Sequence, residues 1–429
     1  METPEIPNES RHRRVGRASG AESRRLFPAG VTAVEKRVVV HLIEGREGYG
    51  VASVLRRIGR GFPFVHFMAL EPGAIIETLP SHQVLWVGSE GLSFCAGRST
   101  GRALFGALAN APKWWRIAGK VAEAMPSRPI LFHCHSQYTV LIAALAKLRR
   151  GGPSVKILFH FHSTMNRRRL CGVLSVVQRR FFGEVVDGLV AVSRAVSDYW
   201  RPLACPIWVV YNGVEAHPRP SAPPCYRRRD GARDVLIAGS LSREKGHLVA
   251  VEALGLLGPR AREFHLWIAG GPLDEAANPF AGELRRRVEA LGLSERVTFL
   301  GFVDPLRDLV PFMWAGLQQR ITPEPGSVWV LEAMSAGLPL IASATGGTPE
   351  AVRHEREGLL VPANDPRAVA DALLRLADDE ALRAALSANA AARAKEFSVE
   401  AFVENLRAVY AGFGALAPRP DALEDGARA

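Results

Sequence analysis

Glu324 and Glu332, with seven residues between them in Glu324-Pro325-Gly326-Ser327-Val328-Trp329-Val330-Leu331-Glu332, form the segment of this 429-residue chain richest in usable chemistry. Pro325-Gly326-Ser327 reads as a helix start. The helix carries the second carboxylate, and Gly337 closes it before the apolar strand Leu340–Ala342. A helix N-terminus turns unpaired N–H groups outward and so attracts anions. Two carboxylates beside an anion site suit a ligand that is both phosphorylated and rich in hydroxyls. A nucleotide-sugar is both. Such a donor loses a nucleoside diphosphate, so its barrier depends on cations and dipoles aimed at the departing phosphates. Lys245 on a glycine-bounded turn and the N–H groups at Gly326-Ser327-Val328 can supply them.

These groups need a scaffold that brings distant loops together. Apolar, β-branched runs of four to six residues alternate with helical patterns throughout, the grammar of a parallel sheet. The first half offers strands at Val38–Ile43, Phe64–Ala69, Val84–Val87, Ile130–Phe132, Ile157–Phe161, Leu189–Val192 and Trp208–Val210. The second offers Val235–Ala238, His265–Ala269, Val297–Leu300, Gly316–Gln319, Leu340–Ala342 and Leu359–Val361. We therefore expect an α/β protein of two doubly wound, Rossmann-like domains facing a central cleft, where ligands meet the carboxyl ends of the strands. The expected division is a disordered basic tail at 1–37, a first domain at 38–215, a Pro/Arg-rich linker at 216–233 and a second domain at 234–397. An amphipathic helix at 398–415 and a tail at 416–429 complete the chain.

Composition bounds the partners. A hydrophobic content of 48% and a charged content of 23% are those of a globular protein. No apolar run reaches the roughly 18–20 residues of a membrane span, and the basic N-terminal stretch lacks a signal-peptide core, so a cytosolic location is expected. Five scattered cysteines with no Cys-x-x-Cys pair give neither a disulfide framework nor a zinc motif. Residues 1–210 hold 29 Lys/Arg against 14 Asp/Glu, a net charge of +15, whereas the remainder is at −4. That asymmetry suits an anionic acceptor or a peripheral seat on an anionic membrane face; an ordinary solvated, Arg-rich surface is the alternative. Lys113-Trp114-Trp115-Arg116 with Lys120, and Arg167-Arg168-Arg169 with Arg179-Arg180-Phe181-Phe182, are the basic–aromatic segments concerned. Helix-turn-helix, RNA-recognition and zinc-finger patterns are missing, which argues against nucleic acid.

Several further segments stand around the two glutamates in a fixed order. They are Gly239-Ser240-Leu241-Ser242-Arg243-Glu244-Lys245-Gly246, Ile268-Ala269-Gly270-Gly271-Pro272, Gly346-Gly347-Thr348-Pro349-Glu350 and Gly358-Leu359-Leu360-Val361-Pro362, preceded by Val209-Val210-Tyr211-Asn212-Gly213-Val214. Together they cover about half of the chain and resemble the retaining glycosyltransferases of family 4, which have the GT-B fold and a Glu-x7-Glu signature. The resemblance implies that Lys245 contacts the donor diphosphate, that Glu324 meets hydroxyls of the transferred sugar, and that Glu332 holds the ribose. Gly271, Gly326, Ser327 and Val328 belong to the same donor site, and the last helix crosses back to the first domain. One departure stands out: the family commonly has Arg where this chain has Ser240, and Arg243 is the nearest substitute.

In the first half, Glu44-Gly45-Arg46-Glu47-Gly48-Tyr49-Gly50 follows the first strand without being a GxGxxG turn. By resemblance Gly48 and Gly50 approach the donor; a plain turn is the other reading. His133/His135 and His160/His162 form two His-x-His pairs at strand ends. Each pair shares a face and could in principle ligate zinc, but nothing in sequence completes a tetrahedral set, and we expect neither metal nor cofactor. The resemblance places His162 at the reaction centre and His135 on the acceptor side, leaving His133 and His160 as buried strand residues; the basic Arg167 and Arg168 just beyond His162 are further acceptor-side candidates. Gly346-Gly347-Thr348-Pro349-Glu350 reads locally as a helix start in which Thr348 caps. The implied activity is transfer of a sugar from a nucleotide-diphosphate sugar to a saccharide or lipid-linked hydroxyl with retention, in polysaccharide or glycolipid assembly. Glu324, Lys245 and His162 carry the chemistry. A nucleotide-sugar epimerase on the same fold and a silent glycan- or membrane-binding module are the rivals.

Overall fold

The computed structural model describes residues 37–45, 49–88, 100–125, 127–150, 154–162, 180–201, 203–216, 226, 231–304 and 306–415. Gly48, Arg167 and Arg168, the two tails and most of the 216–233 linker lie outside the described residues.

Among the described residues, thirteen strands form where the apolar runs stand. They are β1 (Val38–Ile43), β2 (His66–Ala69), β3 (Val84–Val87), β4 (Ile130–Cys134), β5 (Val155–Phe161), β6 (Gly188–Ala191), β7 (Ile207–Val209), β8 (Arg233–Ala238), β9 (Phe264–Ala269), β10 (Val297–Gly301), β11 (Ala315–Gln318), β12 (Leu340–Ser343) and β13 (Gly358–Val361). They make two parallel sheets, ordered β3-β2-β1-β4-β5-β6-β7 and β10-β9-β8-β11-β12-β13. Helices cover both faces of each sheet, so the strands bury side chains on both sides and read as continuous hydrophobic runs. Two Rossmann-like α/β domains are the result.

In both sheets the connections reverse direction beside the first strand, between β1 and β4 and between β8 and β11. Loops leaving adjacent strands part there and open a crevice at the carboxyl ends, the usual ligand position in such sheets.

The last helix, Val399–Gly412, starts on a Ser398 hydroxyl that accepts from the Ala401 N–H. Its apolar residues Phe402, Leu406, Val409 and Tyr410 are buried in one cluster with Val39, Ile43 and Phe67 of the first sheet. The lobes are also tied polar to polar. Asn212 Nδ2 donates to the Gly326 carbonyl at 3.0 Å, and the Val214 N–H donates to the Phe397 carbonyl at 2.8 Å. Among the described residues, no helix is long and apolar enough to cross a membrane.

Candidate functional site

A cavity of about 440 Å³ lies between the two lobes, within the range of roughly 300–1,000 Å³ usual for small-molecule sites. Gly50, His162, Val192 and Asn212 line it from the first half of the chain. Ser240, Lys245, Gly271, Glu324, Gly326, Ser327 and Val328 line it from the second.

The second-lobe wall is charged, and topology explains why. Lys245 follows β8 and Glu324 follows β11, the two strands whose loops part at the reversal point. Gly246 lets those loops meet: it sits at φ 71°, and a Cβ there would lie 1.7 Å from the Gln319 carbonyl oxygen. Lys245 Nζ stands 3.7 Å from Glu324 Oε2. The same oxygen accepts from Gln318 Nε2 at 3.1 Å and lies 3.3 Å from an Arg320 guanidinium nitrogen. Burial pulls the Lys245 pKa below the ordinary lysine value, against the opposing pull of the Glu324 carboxylate. Its charge is therefore under-compensated, and an incoming polyanion would find a cation short of counter-charge.

Helix Val328–Ser335 begins on this wall. Ser327 is its cap, with the hydroxyl accepting from the Val330 N–H, and Gly337 at φ 69° ends it. The amides ahead of Val330 have no carbonyl partner inside the helix and open beside Lys245. Gly346, at φ 59°, holds the glutamate loop from behind: a Cβ would fall 2.1 Å from the Glu324 carbonyl oxygen, which accepts from the Gly347 N–H at 2.7 Å.

The first-lobe wall is neutral. His162 leaves the end of β5 half-buried, and burial lowers its pKa to about 3. Its Nε2 faces His135 Nδ1 at 3.1 Å, so His135 stands one ring behind the cavity. His133 and His160 are fully buried in β4 and β5.

Some expected members of the site stand elsewhere. Arg243 does not line the cavity: its guanidinium pairs with Glu283 and lies over the Phe280 ring, because the short 3-10 turn Arg243–Lys245 sends neighbouring side chains opposite ways. Glu332 is buried behind the helix start, 3.6 Å from the Arg57 guanidinium of the first lobe. Gly347 rather than Thr348 takes the cap position of the short helix Thr348–Ala351. Glu350 there reaches the other lobe, accepting from the Arg194 and Ala195 N–H groups and the Tyr211 hydroxyl, all at 2.8 Å. Of the aromatic segments, Trp115 and Phe181 are exposed while Phe182 is core. Sequence reading missed Arg320, Gln318, Arg57 and His41. The only local signal was Arg320 four residues before Glu324, a spacing without meaning outside a helix.

The comparisons agree with this architecture. The "Glycosyltransferase Family 4" model matches residues 82–217 and the "Glycosyl transferases group 1" model matches residues 221–393. The D-inositol 3-phosphate glycosyltransferase of Acidothermus cellulolyticus is 33% identical over 314 residues, 67% of this chain and 69% of that protein. The chain belongs to the family 4-like glycosyltransferases. The match to the corresponding enzyme of Corynebacterium glutamicum, 32% identical, spans 41% of this glycosyltransferase-family chain and only 42% of the relative's length. A solved Anabaena protein, HepE in complex with UDP and glucose, superposes on 87% of the chain and 99% of its own with a TM-score of 0.71 at 19% identity, a likeness of fold.

Proposed function

We propose that this glycosyltransferase-family chain transfers a sugar from a nucleoside-diphosphate sugar to an acceptor hydroxyl with retention of anomeric configuration. The observation that carries the reading is the shared cavity wall of Lys245, Glu324 and the helix start at Gly326-Ser327-Val328. Lys245 and the first-turn amides take the diphosphate, supplying the positive potential a divalent ion would otherwise provide. Gly50 and Gly271 let backbone approach the donor, and Ser240 occupies the place of the family's usual arginine. Glu324, with Oε2 already engaged by Gln318, Lys245 and Arg320, holds sugar hydroxyls and faces the charge that develops at the anomeric carbon. The anomeric C–O bond breaks toward the phosphate. The acceptor oxygen bonds the same face, and its proton passes to the leaving phosphate oxygen. Retention by double displacement would make Glu324 the nucleophile; its Oε2, hydrogen-bonded to Gln318 and ion-paired with Lys245 and Arg320, suits the electrostatic and sugar-binding role instead.

The related structure that contains UDP and glucose supports a nucleotide-sugar donor, and relatives named as inositol-phosphate glycosyltransferases support a hydroxyl acceptor. We place the acceptor, saccharide or lipid-linked, against the first lobe beside His162, with His135 behind it. Glu332, on the helix that starts at the cavity wall, holds the ribose hydroxyls, and Arg243 contributes least to donor binding. Polysaccharide or glycolipid assembly is the context we propose, at an anionic membrane face that the exposed Trp115 and the basic first lobe would meet.

The test is a panel of nucleotide-sugars with hydroxyl acceptors, read as acceptor-dependent release of nucleoside diphosphate and as the anomeric configuration of the product. Glu324→Gln is expected to lose most turnover at preserved fold. Isomerised sugar from donor alone, or an inverted product, would overturn the reading.

A further inference from the structure

Five imidazoles and one phenol form an unbranched hydrogen-bonded row behind the first-lobe wall. From the cavity inward, His162 Nε2 faces His135 Nδ1 at 3.1 Å, and His135 Nε2 faces His41 Nδ1 at 2.9 Å. His41 Nε2 meets the Tyr410 hydroxyl at 3.1 Å, and that hydroxyl meets His133 Nδ1 at 2.8 Å. His133 Nε2 then faces His160 Nδ1 at 3.2 Å. The sheet makes the row possible: His41 and His133 are register partners on β1 and β4, and each His-x-His pair keeps both rings on one face. Tyr410 closes the gap from the last helix, 369 residues away from His41 in sequence.

Every contact runs from the Nε2 of one ring to the Nδ1 of the next, with the phenol inserted once. Burial holds all five rings neutral at ordinary pH. Five neutral imidazoles and one hydroxyl bring six protons to five gaps. Each gap holds one proton only if all groups point the same way, since any reversal leaves two N–H groups, or two bare nitrogens, facing each other. Two arrangements therefore remain, one with every ring protonated on Nε2 and the other with every ring protonated on Nδ1. In the first, the sixth proton sits on His160 Nε2, which is buried with no partner among the described residues. In the second it sits on His162 Nδ1, at the cavity, where water or ligand oxygen can accept it. Unpartnered buried N–H groups are rarer than under-satisfied acceptors, and that favours the second arrangement.

We propose that the row is one proton-ordered relay with Tyr410 as its hub, holding all five histidines as the Nδ1–H tautomer so that His162 offers the cleft a donor. Tyr410 is thus a positioning residue for His133 and His160: its hydroxyl couples that buried pair to the three rings on the cleft side. A phosphate or hydroxyl oxygen suits His162 Nδ1, whereas a donor group would have to reverse the whole row. Only this last step rests on the nucleotide-sugar reading. A shared metal ion is the competing use of these side chains, because two histidine triads have ring nitrogens within 4.8 Å of one another. Against it, the ring nitrogens face one another in pairs at hydrogen-bond distance, His41 Nδ1 with His135 Nε2 at 2.9 Å and His135 Nδ1 with His162 Nε2 at 3.1 Å, so each nitrogen is already matched to a partner ring.

The experiment is nitrogen NMR of the full chain with labelled histidine, which reads each ring's tautomer without any turnover. A dead assay and a broken relay are therefore told apart. Wild type is expected to show five neutral Nδ1–H rings. In Tyr410→Phe, His41, His135 and His162 should stay Nδ1–H. The stranded pair His133 and His160 should become a mixture, since their spare N–H then has no acceptor on either side. A ring that merely packs would leave all five unchanged. Should Tyr410→Phe not fold, His160→Phe shortens the row from its blind end and should leave the other four as Nδ1–H. Mixed tautomers in wild type would overturn the coupling, uniform Nε2–H would overturn the sense, and a stoichiometric bound metal would overturn both.

Discussion

The two sheets share their strand order around the reversal point, yet they furnish it oppositely. Behind β1, β4 and β5 stand neutral, desolvated imidazoles that hydrogen-bond one another. Behind β8 and β11 stand Lys245, Glu324 and Arg320, charged and paired. One fold thus builds a wall that changes its protons reluctantly and another whose field is permanent. The proposed reaction, which expels a nucleoside diphosphate and deprotonates a hydroxyl, needs the fixed field on the leaving side, while the acceptor side needs only oriented donors.

Acid should break the neutral wall first and most. Free imidazole titrates near 6.5, whereas His41 and His162 titrate near 3 in the fold, and His133, His135 and His160 lie well below 6.5. Within that window the unfolded chain binds the extra protons, so stability is full above pH 6.5 and lost as pH falls. For His41 and His162 the loss between pH 6.5 and 5 is roughly 2 kcal/mol each, and His133, His135 and His160 act in the same direction. Among the described residues, the charge interactions that shift His41, His133, His135 and His160 come from other histidines and add to the effect of burial. Urea midpoints measured from pH 7.5 to 4.5 should drop steeply, and a flat profile would contradict a neutral wall.

Lys245→Ala sharpens the other side. Removing one preorganised cation typically costs about 10²–10³ in rate. Stability should change little, because burial already disfavours this charge and Glu324 keeps Gln318 and Arg320. Turnover near wild type, or a melting temperature that falls as far as the rate, would erase the contrast between the walls. Arg243→Ala should do least. Its ion pair with Glu283 is largely exposed on the Arg243 side, worth about 1 kcal/mol or less. Its turnover should stay at least tenfold above that of Lys245→Ala in the same assay, and parity would bring Arg243 back into the phosphate site.

Legibility followed a physical line. Runs such as Val235–Ala238 and Leu340–Ala342 announced their strands because a parallel strand buried on both faces has no polar positions to blur it. The Glu324 loop and its helix were equally visible, since caps and glycines act within a few residues of where they stand. Arg243 misled because a three-residue 3-10 turn, not the spacing of charges, decides which side chains face inward.

By itself, then, the amino-acid order determined the two sheets, the helix tip and the lysine turn, all written in local periodicity and turn chemistry. Tertiary structure alone decided that Arg320 and Gln318 share the Glu324 oxygen, that Arg57 meets Glu332, and that Tyr410 completes a row begun at His41. Those partners are supplied by chain crossings. The energy of a hydrogen bond or ion pair depends on separation in space, which local sequence pattern does not encode.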